Sequence, residues 1–146
     1  MKIHHIGYLV RDIEKSLEMF LAFEGYEQMS GIVNDNCCHD NQLKPRNVKI
    51  CFIKNFNNVR GGGTCIELVS PIDTSSDVYK ILQRQGEGPY HICYETNNLD
   101  DKIAELKSKG WIVVHEPATA VAIQGRRVAF LFKNGMGLIE IVDVKD

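Results

Sequence analysis

The chain has 146 residues, 44% of them hydrophobic and 25% charged, and a formal net charge of −2 at pH 7. That length buries a core without help from disulfides or a structural metal, and the composition excludes a disordered or fibrous chain. No basic excess suits nucleic acid or an anionic membrane, and no apolar run approaches the ~18 residues of a membrane span. The opening Met-Lys-Ile-His-His carries no signal-peptide pattern, so a soluble, cytoplasmic, single-domain protein is expected. The cysteines (Cys37, Cys38, Cys51, Cys65 and Cys93) are odd in number, a poor basis for a disulfide framework. Cys51, Cys65 and Cys93 sit in apolar runs as small hydrophobes, and Cys37-Cys38-His39 reads as a polar loop, not a metal clip.

Taken along the chain, residues 3–10 predict a strand. Ile13, Leu17 and Phe20 then recur at helical spacing and predict an amphipathic helix over 12–22, with Asp12 as N-cap and Gly25 as its stop. Strands are expected at 27–33, 48–54 and 64–70, with a polar loop over 34–46. The stretch from Pro71 to Pro89 carries a short helix over 76–85 with Val78, Ile81 and Leu82 apolar. Beyond it, the pattern predicts a strand at 90–96 and a helix at 99–109 between Asn98 and Gly110. Strands at 111–114, 128–132 and 138–142 complete the chain.

This order occurs twice. His5-Ile6-Gly7-Tyr8 is answered 86 positions later by His91-Ile92-Cys93-Tyr94, and Ile13, Leu17 and Phe20 by Leu99, Ile103 and Leu106. Cys65-Ile66-Glu67-Leu68-Val69 matches Leu138-Ile139-Glu140-Ile141-Val142 at an offset of 73. The 13 residues by which the second copy is shorter are expected to lie in the 34–46 loop. The chain therefore reads as module one (1–73), a bridge (74–88) and module two (89–146). Neither copy buries its sheet well alone, so the two are expected to pack as one unit.

The repeat makes His5 equivalent to His91 and Glu67 equivalent to Glu140. Each glutamate stands between two apolar residues on a strand, so it points away from both of them. An ionised carboxylate so placed is costly unless something pairs with it. A lone strand His or Glu is ordinarily structural, but four in two register-matched pairs point to a site. Two imidazoles and two carboxylates suit one divalent ion such as Zn, Co, Ni or Mn. On an octahedral ion they leave two adjacent positions open, a Lewis-acid arrangement. His4, beside His5 on the same strand, is expected to face the other way. His39 and His115 have no counterpart in the repeat and read as structural.

At these residues the chain resembles the vicinal oxygen chelate superfamily (glyoxalase I, methylmalonyl-CoA epimerase, extradiol dioxygenases, antibiotic-resistance proteins). The resemblance rests on His-His-Ile-Gly-Tyr (4–8), Ile-Glu-Leu-Val-Ser-Pro (66–71), Pro-Tyr-His-Ile-Cys-Tyr-Glu (89–95), Arg-Arg-Val-Ala-Phe-Leu (126–131) and Gly-Leu-Ile-Glu-Ile (137–141). It implies an α+β fold of two tandem βαβββ modules, a half-barrel of mixed sheet around a metal held by His5, Glu67, His91 and Glu140. Within the superfamily the chain looks most like the methylmalonyl-CoA epimerase branch or a small bacterial glyoxalase I-like protein. Gln85-Gly86-Glu87-Gly88 before the Tyr-His-Ile-Cys strand supports this, as does the run from Gln124 to Leu131. The Asp-Pro-x-Gly turn of many members is replaced by Lys133-Asn134-Gly135-Met136-Gly137.

The resemblance implies removal of a proton next to a carbonyl, with the enediolate stabilised on the metal. Glu140 is then the first base, and Glu67 or a further acid (Asp35 or Asp40 in the loop) the second. Some epimerases carry a carboxylate on the strand where this chain reads Val48-Lys49-Ile50, and Lys49 is no equivalent base. Arg126 and Arg127 are candidates to hold a carboxylate or a CoA phosphate. The substrate so implied is an acyl-CoA. The alternatives are a glyoxalase I-type lactoylglutathione lyase acting on a thiol hemithioacetal, and a non-catalytic protein that sequesters a small ligand such as an antibiotic. A homodimer is expected from the family alone.

Overall fold

The computed structural model describes residues 1–35, 46–56 and 62–144. Cys37, Cys38, His39, Asp40 and nearly all of the 34–46 loop lie outside them. The elements run β1 (Lys2–Leu9), α1 (Ile13–Ala22), β2 (Tyr26–Gln28), β3 (Val33–Asp35), β4 (Val48–Asn55), β5 (Thr64–Pro71), α2 (Tyr79–Gln85), β6 (Gly88–Thr96), α3 (Leu99–Ser108), β7 (Ile112–Ala120), β8 (Arg126–Lys133) and β9 (Gly137–Asp143). A 3-10 turn, Val121–Ile123, joins β7 to β8.

The described strands form one open mixed sheet in the order β2-β4-β5-β1-β6-β9-β8-β7, with β3 also on β4. Within each module the first and last strands pair in parallel, β1 with β5 and β6 with β9. The modules meet where β1 runs antiparallel to β6. The repeat survives as register: Gly7 stands opposite Glu67 as Cys93 stands opposite Glu140, and Ile6 opposite Ile66 as Ile92 opposite Ile139.

Side-chain alternation sorts each strand into an outer and an inner face. Outward, Ile66 and Leu68 pack with Cys51, Ile53, Ile13 and Leu17 beneath α1. Their counterparts Ile139 and Ile141 pack with Ala129, Leu131, Leu99 and Ile103 beneath α3. Inward, Leu9, Ile50, Phe52, Val69, Cys93, Val128 and Val142 form a third cluster closed by Val78 and Leu82 at the α2 end. The intervening Glu67 and Glu140 must point into that interior. The two edges of the sheet approach each other where β3 lies against the 121–123 turn.

Both helices begin as the sequence predicts. Asp12 Oδ1 accepts from the Lys15 N–H at 3.1 Å and Asn98 Oδ1 from that of Asp101 at 3.0 Å, and Gly25 and Gly110 follow with φ of 83° and 91°.

Four expectations need correction. The strand expected over 27–33 is two short strands, because four residues, 29–32, stand opposite only Cys51 and Phe52. There Ser30 Oγ accepts from the Phe52 N–H at 2.9 Å, a side chain doing a strand carbonyl's work. The strand expected over 111–114 runs on to Ala120 through Pro117, which an edge strand tolerates. The bridge helix starts only at Tyr79, since Ser76 and Val78 form a turn before it. The 13-residue surplus of module one is shared between two places. Phe52 corresponds to Phe130 at an offset of 78, so eight residues fall before β4 and five in the β4–β5 hairpin.

Asn98→Ala removes a side-chain acceptor for an otherwise unpaired helix N–H. It should lower stability by about 1 kcal/mol with an unchanged m-value in urea denaturation.

Candidate metal centre

His5, Glu67, His91 and Glu140 converge on the inner face although they come from four strands, β1, β5, β6 and β9. Each is buried, between 1% and 4% exposed. One donor atom from each lies within 4.8 Å of the other three. His5 Nε2 is 3.1 Å from His91 Nε2. Glu140 Oε2 is 3.2 Å from His5 Nε2 and 2.9 Å from His91 Nε2. Glu67 Oε1 stands 3.7 and 3.8 Å from the same two nitrogens.

The separations among His5, His91 and Glu140 match the edges of a coordination polyhedron, and Glu67 stands somewhat farther out. Ligand bonds of about 2.1 Å place neighbouring donors about 3.0 Å apart at right angles and about 3.4 Å apart in a tetrahedron. Glu140 Oε2, close as it is to both imidazoles, has no hydrogen-bond partner among the described residues. A buried carboxylate oxygen rarely goes unpaired. That orphaned atom, and a set of two neutral nitrogens with two oxygens, fit a divalent ion.

The electrostatics are those of a crowded interior. Burial raises the Glu67 carboxyl above its ordinary value, against the pull of His5. Burial would also raise Glu140, but the two imidazoles beside it hold its carboxyl well below the usual range. His5 is pushed down by burial but raised on balance by Glu67 and Glu140.

Aromatic rings wall the centre symmetrically. Phe52 stands across the strand from Glu67 and Phe130 from Glu140. The Phe52 ring meets His5 edge-on at 5.3 Å, and the Phe130 ring meets His91 at 5.4 Å. Sequence reading missed this pair, whose signal was a third offset, 78, between the other two.

Beyond Phe130 lies a second feature that the sequence hid. Arg46, at the end of the loop, is 4% exposed, with its guanidinium 5.2 Å above the Phe130 ring. Its Nε is 3.4 Å from Asp77, which also faces His115 Nε2 at 3.4 Å, so His115 gains a partner from the bridge. These residues and Tyr90 line a cavity of about 110 Å³.

His4 does not face away from His5. Ile3 pairs with Tyr94 and His5 with Cys93, so His4 is an extra residue in the ladder, and this bulge turns it to the same side. Its Nδ1 lies 2.7 Å from His5 Nδ1. Burial, and next the adjacent His5, pushes the His4 imidazole down to about 4, so it is neutral near pH 7.

Of the remaining candidates, Arg126 lines a cavity of about 310 Å³ with His4, Phe52, Lys54 and Cys65. Its Nε donates to the Asp143 carbonyl. Arg127 lies on the outer surface, bridging to both carboxylate oxygens of Asp100 at 3.1 and 2.9 Å. Asp35 is buried, 3.9 Å from Arg46. Lys49 points outward to Glu14 at 3.0 Å.

The chain belongs to the glyoxalase/bleomycin resistance protein/dioxygenase superfamily, which it matches over residues 4–130. Among curated relatives, the mitochondrial methylmalonyl-CoA epimerase of Mus musculus is 26% identical over 143 residues, 96% of this chain and 71% of that one. An uncharacterised Bacillus subtilis protein, YqjC, is 22% identical over 147 residues, covering 99% of this chain and 93% of its own. Among solved structures, a Streptomyces coelicolor methylmalonyl-CoA epimerase variant in complex with 2-nitronate-propionyl-CoA superposes with a TM-score of 0.78. It is 26% identical and covers 100% of this chain and 99% of that one.

Gly7 stands opposite His91 in the ladder, and a Cβ there would overlap the His91 ring. Gly7→Ala should displace that imidazole and cost about 1–3 kcal/mol, the range of overpacked cores, read by chemical denaturation.

Proposed function

We propose that this chain is a divalent-metal-dependent enzyme that moves a proton on a carbon next to a carbonyl, acting as an epimerase on an acyl-CoA of the methylmalonyl-CoA kind. The observation that carries this is the buried quartet, whose Glu140 oxygen has no hydrogen bond among the described residues. The epimerases among the relatives supply the substrate class. His5 and His91 through Nε2, Glu67 through Oε1 and Glu140 through Oε2 would hold one ion (Co, Zn, Ni or Mn). When bound, such an ion supplies Lewis-acid stabilisation to negative charge developing on a carbonyl oxygen.

The proton itself is work for the carboxylates. Glu140 is assigned as the base and Glu67, on the opposite side of the centre, as its complement. They stand on β5 and β9, one from each side of the histidine strands, as proton transfer at two faces of one carbon requires. Phe52 and Phe130 keep water from the interior, which strengthens every charge interaction there. Arg126, on a cavity wall beside His4, is the better placed of the two arginines to meet a substrate carboxylate or phosphate. An intact ligand set argues against a protein that merely sequesters its ligand.

A second reading, a glyoxalase I-type lyase acting on a thiol hemithioacetal, draws on the inner face of β4. That face presents Val48, Ile50 and Phe52 and no carboxylate, and a shift of one proton between adjacent carbons needs a single base. Incubation with methylmalonyl-CoA in deuterated buffer separates the two. Metal-dependent exchange of the α-proton is expected, abolished by chelation and reduced at least about 100-fold in Glu140→Gln. Hemithioacetal turnover without exchange would establish the lyase instead, and full exchange by Glu140→Gln would remove Glu140 from the mechanism.

Metal affinity should rise with pH. Glu67 and His5 both have raised pKa values, so each keeps its proton to higher pH in the metal-free protein and must lose it to coordinate. Acidification therefore weakens binding, and uptake releases protons that a weakly buffered calorimetric titration detects.

A further inference from the structure

The bulge that turns His4 inward has a twin. In β6, Gly7 pairs with His91 and Tyr8 with Pro89, so Tyr90 is the extra residue there, at the position the repeat makes equivalent to His4. Each module thus turns the residue before its site histidine to the histidine's own side. The two are used differently: His4 Nδ1 meets His5 Nδ1 at 2.7 Å, whereas His91 Nδ1 has no hydrogen-bond partner among the described residues. We propose that His4 is a positioning residue that accepts the Nδ1 proton of His5 and so leaves the Nε2 lone pair of His5 directed at the metal position. This rests on the metal-centre reading above.

Two nitrogens 2.7 Å apart share one proton, and two neutral arrangements are available. If His4 donated from Nδ1, its Nε2 would present a lone pair to Glu95 Oε1, 4.0 Å away. If His4 accepts, its proton sits on Nε2 and points toward that carboxylate. Attraction replaces repulsion at Glu95. An ion at the metal position takes the His5 Nε2 lone pair in place of the proton that Glu140, 3.2 Å away, would otherwise attract. With metal bound, both ends therefore favour the accepting form. Arg126, which lines the same cavity as His4, also reaches Glu95, its NH2 3.7 Å from the same oxygen, and is itself tied to the Asp143 carbonyl. The order Arg126–Glu95–His4–His5 therefore fixes a tautomer from the cavity wall inward. Coordinating histidines generally donate their other ring N–H to an outer group that sets ring angle and basicity. In this chain that outer group is a second imidazole, on one side of the pseudo-twofold only.

The test uses Zn²⁺ affinity, by competition with a chromophoric chelator, and ¹⁵N–¹H spectra of the imidazoles. His4→Phe should weaken Zn²⁺ binding about 10–100-fold, while His4→Gln, whose side-chain oxygen can accept the same proton, restores most of it. The spectra should place the His5 proton on Nδ1 in the Zn²⁺-loaded wild type and lose that signature in His4→Phe and in Glu95→Leu. Wild-type affinity in His4→Phe, or a Zn²⁺-loaded wild type whose His5 Nδ1 carries no proton, overturns the assignment. Should wild type take up no Zn²⁺, Co²⁺, Ni²⁺ or Mn²⁺, the metal reading fails. In the metal-free protein, where His5 also holds a proton on Nε2, a His5 Nδ1 proton that His4→Phe loses still decides the role of His4.

Discussion

Everything at the centre of this molecule depends on one antiparallel ladder, β1 against β6. It is the seam between two copies of the same module, and it sets His5 beside Cys93 and Gly7 beside His91. Side chains alternate with a period of two, so a slip of one residue along this seam would send one histidine to the outer face. The parallel pairings to either side then bring one glutamate each, in identical register. The superfamily's fold is in this sense a device for making two half-sites into one.

The arrangement concentrates unfavourable electrostatics in the middle of the sheet. Two carboxylates excluded from water would each cost several kcal/mol if left ionised and unpaired. What offsets that cost lies mainly elsewhere, in the apolar layers beneath α1 and α3. Stability and chemistry are thus divided between the faces of one sheet, outer for packing and inner for the site. Arg46 extends the inner layer toward the bridge, tying Asp35 of module one to Asp77, which in turn meets His115 of module two.

The features legible in the sequence are those that periodicity records. Helices α1 and α3, their caps and the convergence of His5, Glu67, His91 and Glu140 follow from apolar spacing and from one repeat with two offsets. Features that depend on pairing partners leave no such trace. The bulges at His4 and Tyr90 exist only as a mismatch between two strands, and the sequence of either strand alone looks regular. Ser30 breaks the edge of β4 by lending its hydroxyl to Phe52, which a run of polar and small residues does not announce. The burial of Arg46 depends on a ring from β8 and a carboxylate from the bridge, both far away in the chain. Phe52 and Phe130 escaped because the third strands follow neither of the two offsets that made the repeat visible.

Parallel closure within each module also sets an order of assembly. The β4–β5 and β8–β9 ladders join neighbouring segments, whereas Ile6 must find Ile66 and Ile92 must find Ile139 across most of a module. Chain entropy favours the nearby contacts, so the hairpins can zip early while the first strand of each module docks late. The two histidines ride on those late strands, and the glutamates on the early ones. Contact order thus favours assembly of the oxygen half of the centre ahead of the nitrogen half.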